Sequence, residues 1–137
     1  VKIIYVQGVF DAGKTSSIRR FLTNRRVLFE YKDNGTEDVS LMLPMMVSGQ
    51  QKDVAVCTNG DEASAVQGHL DWALSNSADI LVCACRSRGG TLTAILDFAK
   101  LHSFPTYPIQ CSRTAPPSPA AYAAADQLIA KQIENLL

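Results

Sequence analysis

Gly8-Val-Phe-Asp-Ala-Gly-Lys-Thr15 sets two glycines, a lysine and a threonine at the spacing G-x-x-x-x-G-K-T. Before it lies the apolar run Lys2-Ile-Ile-Tyr-Val-Gln7. After it lies Ser16-Ser-Ile-Arg-Arg-Phe-Leu22, with Ile18, Phe21 and Leu22 at helical spacing. The first run predicts a strand and the second a helix, so the glycine-rich segment must turn the chain from one into the other. Successive backbone N–H groups in such a turn point inward and form a concave anion site. The helix adds its positive N-terminal end. Gly8 and Gly13 provide the conformational freedom and close approach that a side chain would block.

These residue types point to a polyphosphate ligand. The backbone of Gly8, Val9, Phe10, Asp11, Ala12, Gly13, Lys14, Thr15 and Ser16 would line it. Lys14 would reach the outer phosphates as a point charge, and Thr15 would place its hydroxyl on Mg²⁺. The simplest such ligand is a nucleoside triphosphate with magnesium, ATP before the others.

The rest of the chain sets the scaffold. Strand-like runs at 2–7, 53–58, 80–85 and 107–111 alternate with helical patterns at 14–24, from 63 to about 76, 91–102 and from Pro119 onward. Ile80-Leu-Val-Cys-Ala-Cys85 is apolar throughout, as central parallel strands are. Ser118 can cap the last helix and Pro119 suits its first position. Alternation of this kind predicts an α/β fold, a mostly parallel twisted sheet with helices on both faces. Residues 25–52 are the least legible. Val27–Tyr31 could be a short strand and Asp33–Thr36 a turn. Met45–Val47 and Asp53–Cys57 around Ser48-Gly-Gln-Gln51 suggest a hairpin that would add an antiparallel edge, and Pro44 would suit an edge strand or a bulge. With 137 residues, no repeats and no linker, a single nucleotide-binding domain over 1–137 is expected, with little room for a separate substrate domain.

The motif and the element order resemble those of the P-loop NTPase superfamily, which implies a three-layer P-loop fold and binding at the carboxyl ends of the strands. Three further strand ends then matter. The strand ending at Thr58 delivers Asp61 and Glu62, the one ending at Cys85 delivers Arg86 and Arg88, and the one ending at Cys111 delivers Arg113. By the resemblance, Asp61 is the candidate Walker B acid that holds Mg²⁺, and Glu62 the group that orients or deprotonates an attacking molecule. Asp61 departs from the pattern, because Thr58-Asn59-Gly60 separate it from the apolar strand. Capping of the next helix by Asp61, with Glu62 in its first turn, is the competing reading. Arg86 and Arg88 suit phosphate charge or an anionic substrate, and Arg113 could line a base-binding loop. Asp11 sits where translation GTPases also carry an Asp, but no N-K-x-D follows, nor a D-x-x-G after the next strand, which argues against a regulated GTPase.

Charge and cysteine use narrow the classes. Lys plus Arg and Asp plus Glu number 13 each, so no global field favours nucleic acid or an acidic membrane. Arg19-Arg20 and Arg25-Arg26 read as a solvated helix face. Cys57, Cys83, Cys85 and Cys111 match no zinc spacing and read as small buried residues. His69 and His102 have no partners at ligand spacing. No leader-like segment precedes the first strand and no apolar run reaches membrane-spanning length, so a cytoplasmic protein is expected. Two functions fit. One is a Mg²⁺-dependent NTPase or small-molecule phosphotransferase, in which Lys14, Asp61, Glu62, Arg86 and Arg88 would act on the phosphates or on a small-molecule acceptor. The other is a weakly catalytic switch or scaffold that works through a protein partner or a homodimer.

Overall fold

A computed structural model of the chain describes residues 1–9, 12–25, 38–112 and 118–137. Its elements run β1 (Lys2–Gln7), α1 (Lys14–Asn24), β2 (Ser40–Val47), β3 (Gln50–Cys57), α2 (Ala63–Ser75), β4 (Ile80–Cys85), α3 (Gly90–His102), β5 (Thr106–Gln110) and α4 (Pro119–Leu136). The readings at 27–31 and 33–36, and the candidate residues Phe10, Asp11 and Arg113, lie outside the described residues.

The strands form one sheet in the order β2-β3-β4-β1-β5. β1 lies between β4 and β5 and is parallel to both, β4 is parallel to β3, and β2 is antiparallel to β3. The expected mostly parallel α/β sheet with an antiparallel edge is therefore present. β2 is longer than the sequence suggests: it starts at Ser40 and runs through Pro44 to Val47. Proline is tolerated there because β2 is an edge strand, where a missing N–H need not break the sheet. Pro108 sits in the other edge strand, β5, by the same rule. The hairpin turns on Ser48 and Gly49, both at positive φ (50° and 80°), as the two-residue turns that match strand twist require.

Side-chain alternation splits the core in two. Ile4, Val6, Val54, Val56 and Val82 face α1 and α4, with Ile18, Phe21, Leu22, Ile129 and Ile133. Ile3, Tyr5, Ala55, Leu81 and Cys83 face α2 and α3, with Val66, Leu70, Ile95 and Phe98. All six residues of β4 are buried, because the strand has neighbours on both edges and helices over both faces. Helical spacing predicts buried stripes at Ala63, Val66, Leu70, Ala73 and Leu74 in α2 and at Tyr122, Leu128, Ile129, Ile133 and Leu136 in α4; of these Ala63, Leu74 and Leu128 are exposed. In α4 the buried line is Ile129, Ala130 and Ile133, which share the i, i+4 face that Leu128 leaves. Among the described residues no helix is long and apolar enough to cross a membrane.

The parallel strands β1, β3, β4 and β5 all end at one edge of the sheet. Gly8, Thr58, Arg86 and Cys111, which directly follow or lie at those ends, are therefore gathered there.

Candidate functional site

The Gly8–Thr15 loop is anchored on three sides. Gly8 N–H donates to Cys85 O (3.1 Å) and carries the β1–β4 ladder one residue past Gln7, while Cys111 N–H donates to Gln7 O (2.8 Å) from the β5 side. A Cβ at Gly8 would stand 2.5 Å from Cys111 O and 2.9 Å from Ala12 Cβ, so only glycine fits between the two chains. The loop turns through an Ala12 N–H bond to Val9 O (3.1 Å), and the Cys111 thiol donates to Ala12 O (3.1 Å). Gly13 takes the left-handed conformation (φ 93°, ψ 22°) at the N-cap of α1. Among the described residues no side-chain hydrogen bond caps that helix, and the first N–H groups of an α-helix have no intrahelical acceptor. Ser16 and Ser17 place their hydroxyls 3.1 and 3.0 Å from Asp126 Oδ1, tying the first turn of α1 to α4.

Lys14 does not extend into solvent. It is 5% exposed and folds back over the loop, where its ammonium donates to Gly8 O (3.0 Å) and to Asp61 Oδ1 (3.0 Å). Asp61 comes from beyond β3, and β4 lies between β3 and β1. The intervening Thr58-Asn59-Gly60 is the length of chain that crosses that strand. Neighbouring strands lie about 4.8 Å apart, so an acid placed directly at the end of β3 would stand two strand spacings from Gly8. Gly60 makes the crossing tight, because a Cβ there would lie 2.3 Å from the Ala84 carbonyl carbon and oxygen.

Asp61 does not cap α2. The N-cap position of α2 is Glu62, with no side-chain cap bond, and the Asp61 carboxylate turns to Lys14. Glu62 itself is exposed. Arg86 joins the pair, with Nε 3.7 Å from Asp61 Oδ1, and its backbone N–H is fixed by Thr91 Oγ1 (2.9 Å). Arg88 is exposed and forms no ion pair among the described residues. The structure thus gathers Lys14, Asp61 and Arg86, and leaves Glu62 and Arg88 at the rim.

Thr15 has a partner that no local sequence pattern signals. Its hydroxyl donates to Asp38 Oδ1 (3.2 Å), and Thr58 Oγ1 donates to the same oxygen (2.9 Å). Asp38 precedes β2, in the segment without legible periodicity. It lies at the binding edge because β2 runs antiparallel to β3, so the chain enters β2 where β3 ends.

Cys57, Cys83 and Cys85 lie together in the core beneath this edge, Cys57 and Cys83 in register on neighbouring strands. All four cysteines are free and buried. Burial pushes the Cys57 thiol up to about 12, and that of Cys85 to about 11 against the opposing pull of Lys14. Among the described residues no three His, Cys, Asp or Glu side chains gather to hold a metal ion. Hard oxygen donors do fit magnesium, which uses one or two carboxylates and fills its shell with water and phosphate. The Thr15 hydroxyl beside the Asp38 carboxylate is such a set. No family model matches the chain, and no curated protein matches it either.

Proposed function

We propose that the chain is a P-loop protein of three-layer architecture that binds a magnesium nucleoside triphosphate, ATP first, and hydrolyses it or transfers its terminal phosphoryl group. The observation that carries this is Lys14: a buried lysine directed back across a glycine loop at the uncapped N-terminus of α1. A lysine that served only solubility would extend its ammonium into water. Here an anion settling on the loop amides would meet that ammonium and, beside it, the half-exposed Arg86. Asp61 holds Lys14 in its aim, and a phosphate competes with Asp61 for the ammonium. When bound, Mg²⁺ would neutralise charge on the outer phosphates. The residues for it are Thr15 with an acid, Asp61 or Asp38.

One observation favours slow chemistry and the switch or scaffold reading. Asp61 is engaged with two cations, and Glu62 is exposed at the start of α2, so neither acid is aimed at an attacking water. A titration of each nucleoside triphosphate with and without Mg²⁺, followed by turnover assays with and without added acceptors, tests both. Steady phosphate release without an acceptor identifies an NTPase, and tight binding without release identifies a switch. Failure of every nucleotide to bind refutes the reading.

A further inference from the structure

We propose that Asp38, delivered by the chain entering β2, is the carboxylate that works with Thr15 on the divalent cation, and that Asp61 serves Lys14 instead. This rests on the nucleotide-binding reading above.

The first ground is the hydrogen-bond chain. Thr58, 1% exposed, accepts the Val39 N–H on its hydroxyl oxygen (2.8 Å). Its only proton is then directed to Asp38 Oδ1 (2.9 Å). The Thr58 N–H in turn donates to Val39 O (3.0 Å). This reciprocal clamp extends the β2–β3 pairing past its last partners, Ser40 and Cys57, so Asp38 is held in place by the sheet. The Thr15 hydroxyl meets the same oxygen at 3.2 Å, placing a carboxylate and a hydroxyl, both hard donors, side by side at the loop.

The second ground is charge. Asp61 Oδ1 already lies 3.0 Å from the Lys14 ammonium and 3.7 Å from Arg86 Nε. Two cations at that range disfavour a third, divalent one on the same carboxylate. Asp38 pairs with no Lys or Arg among the described residues. The two acids therefore divide the work: Asp61 orients the phosphate-binding lysine and Asp38 attends the metal.

Mn²⁺ in place of Mg²⁺ makes this measurable apart from turnover. ATP affinity is measured without metal, and Mn²⁺ affinity of the ATP-loaded protein is read by paramagnetic resonance, for wild type, Asp38→Asn and Asp61→Asn. The expected result is a loss of about 10- to 100-fold in Mn²⁺ affinity for Asp38→Asn, the range seen when support of a metal ligand is removed, with metal-free ATP affinity retained. Asp61→Asn should keep its Mn²⁺ affinity and bind metal-free ATP more tightly, because Lys14 is released to the phosphates. Thermal unfolding of Asp38→Asn checks the fold. Should that variant not fold, Asp38→Glu, which keeps the charge but displaces the carboxylate by one methylene, must still weaken Mn²⁺. Undiminished Mn²⁺ affinity in the Asp38 variants, or loss confined to Asp61→Asn, overturns the assignment while nucleotide binding stands. No ATP binding by wild type overturns the nucleotide reading itself.

Discussion

Gly60→Ala is the substitution whose effect the structure fixes most tightly. The added Cβ would stand 2.3 Å from the carbonyl carbon and oxygen of Ala84 and 2.7 Å from the nitrogen of Cys85. These are backbone atoms at the end of β4, a strand paired on both sides, so they cannot swing away as a side-chain tip could. Ordinary contact begins near 3.4 Å, so the 58–61 crossing must lift by about 1 Å. Overpacking of this kind costs about 1–3 kcal/mol. For a domain of this size that lowers the melting temperature by on the order of 4–12 °C. Lifting the crossing also draws Asp61 off Lys14, so metal-free ATP should bind the folded variant more tightly, as it should Asp61→Asn. Gly68 provides the opposite sign. It lies exposed within α2, and a methyl added there would meet nothing within 4 Å. Gly68→Ala should therefore gain about 0.5–1 kcal/mol from helix propensity. Differential scanning calorimetry of the two variants decides the matter. A Gly60→Ala protein that melts with or above wild type would refute the argument that the crossing rests on the β4 backbone.

Two further outcomes follow from titratable groups that the fold shields, partly for His69 and fully for the thiols. Burial lowers the His69 pKa, with Asp38 pulling it partly back up. The folded state therefore binds fewer protons than the unfolded chain below its ordinary value of about 6.5, so stability should fall as pH drops through that region and be fully present above it. His69→Gln should flatten that slope in denaturant titrations, and Asp38→Asn should push the His69 resonance titration lower still; a His69 that titrates above its ordinary value would contradict this. The four buried thiols should resist a thiol reagent at pH 8 in the native protein and all react in guanidinium. Rapid native labelling would contradict the burial of these residues.

Much of the scaffold was legible because local signals agreed. The unbroken apolar run at Ile80–Cys85 could only be a central strand, and Ser118-Pro119 marked the start of α4, where Ser118 indeed accepts the Ala121 N–H. The loop from Gly8 to Thr15 carried its position on the fold in its own spacing. The site around it was less legible for a topological reason. Strand order is not written in local pattern, so nothing in Thr58-Asn59-Gly60 revealed that those residues cross β4 to bring Asp61 to Lys14. Asp38 was harder still. It is a lone acid ahead of a strand obscured by Pro44, and its link to Thr15 spans 23 residues closed only by tertiary pairing. Leu74 and Leu128 failed as core residues because a helical stripe one residue too wide looks the same in sequence as the face that is buried.

In the proposed function, Lys14 and its loop bind the phosphates of a nucleotide. Calorimetric titration of Mg²⁺·ATP into the wild-type protein and into Lys14→Met, which keeps the buried stem and removes the charge, tests it most directly. Wild type should bind saturably, and the variant should remain folded and lose that binding. Equal behaviour of the two proteins with every nucleoside triphosphate would contradict it.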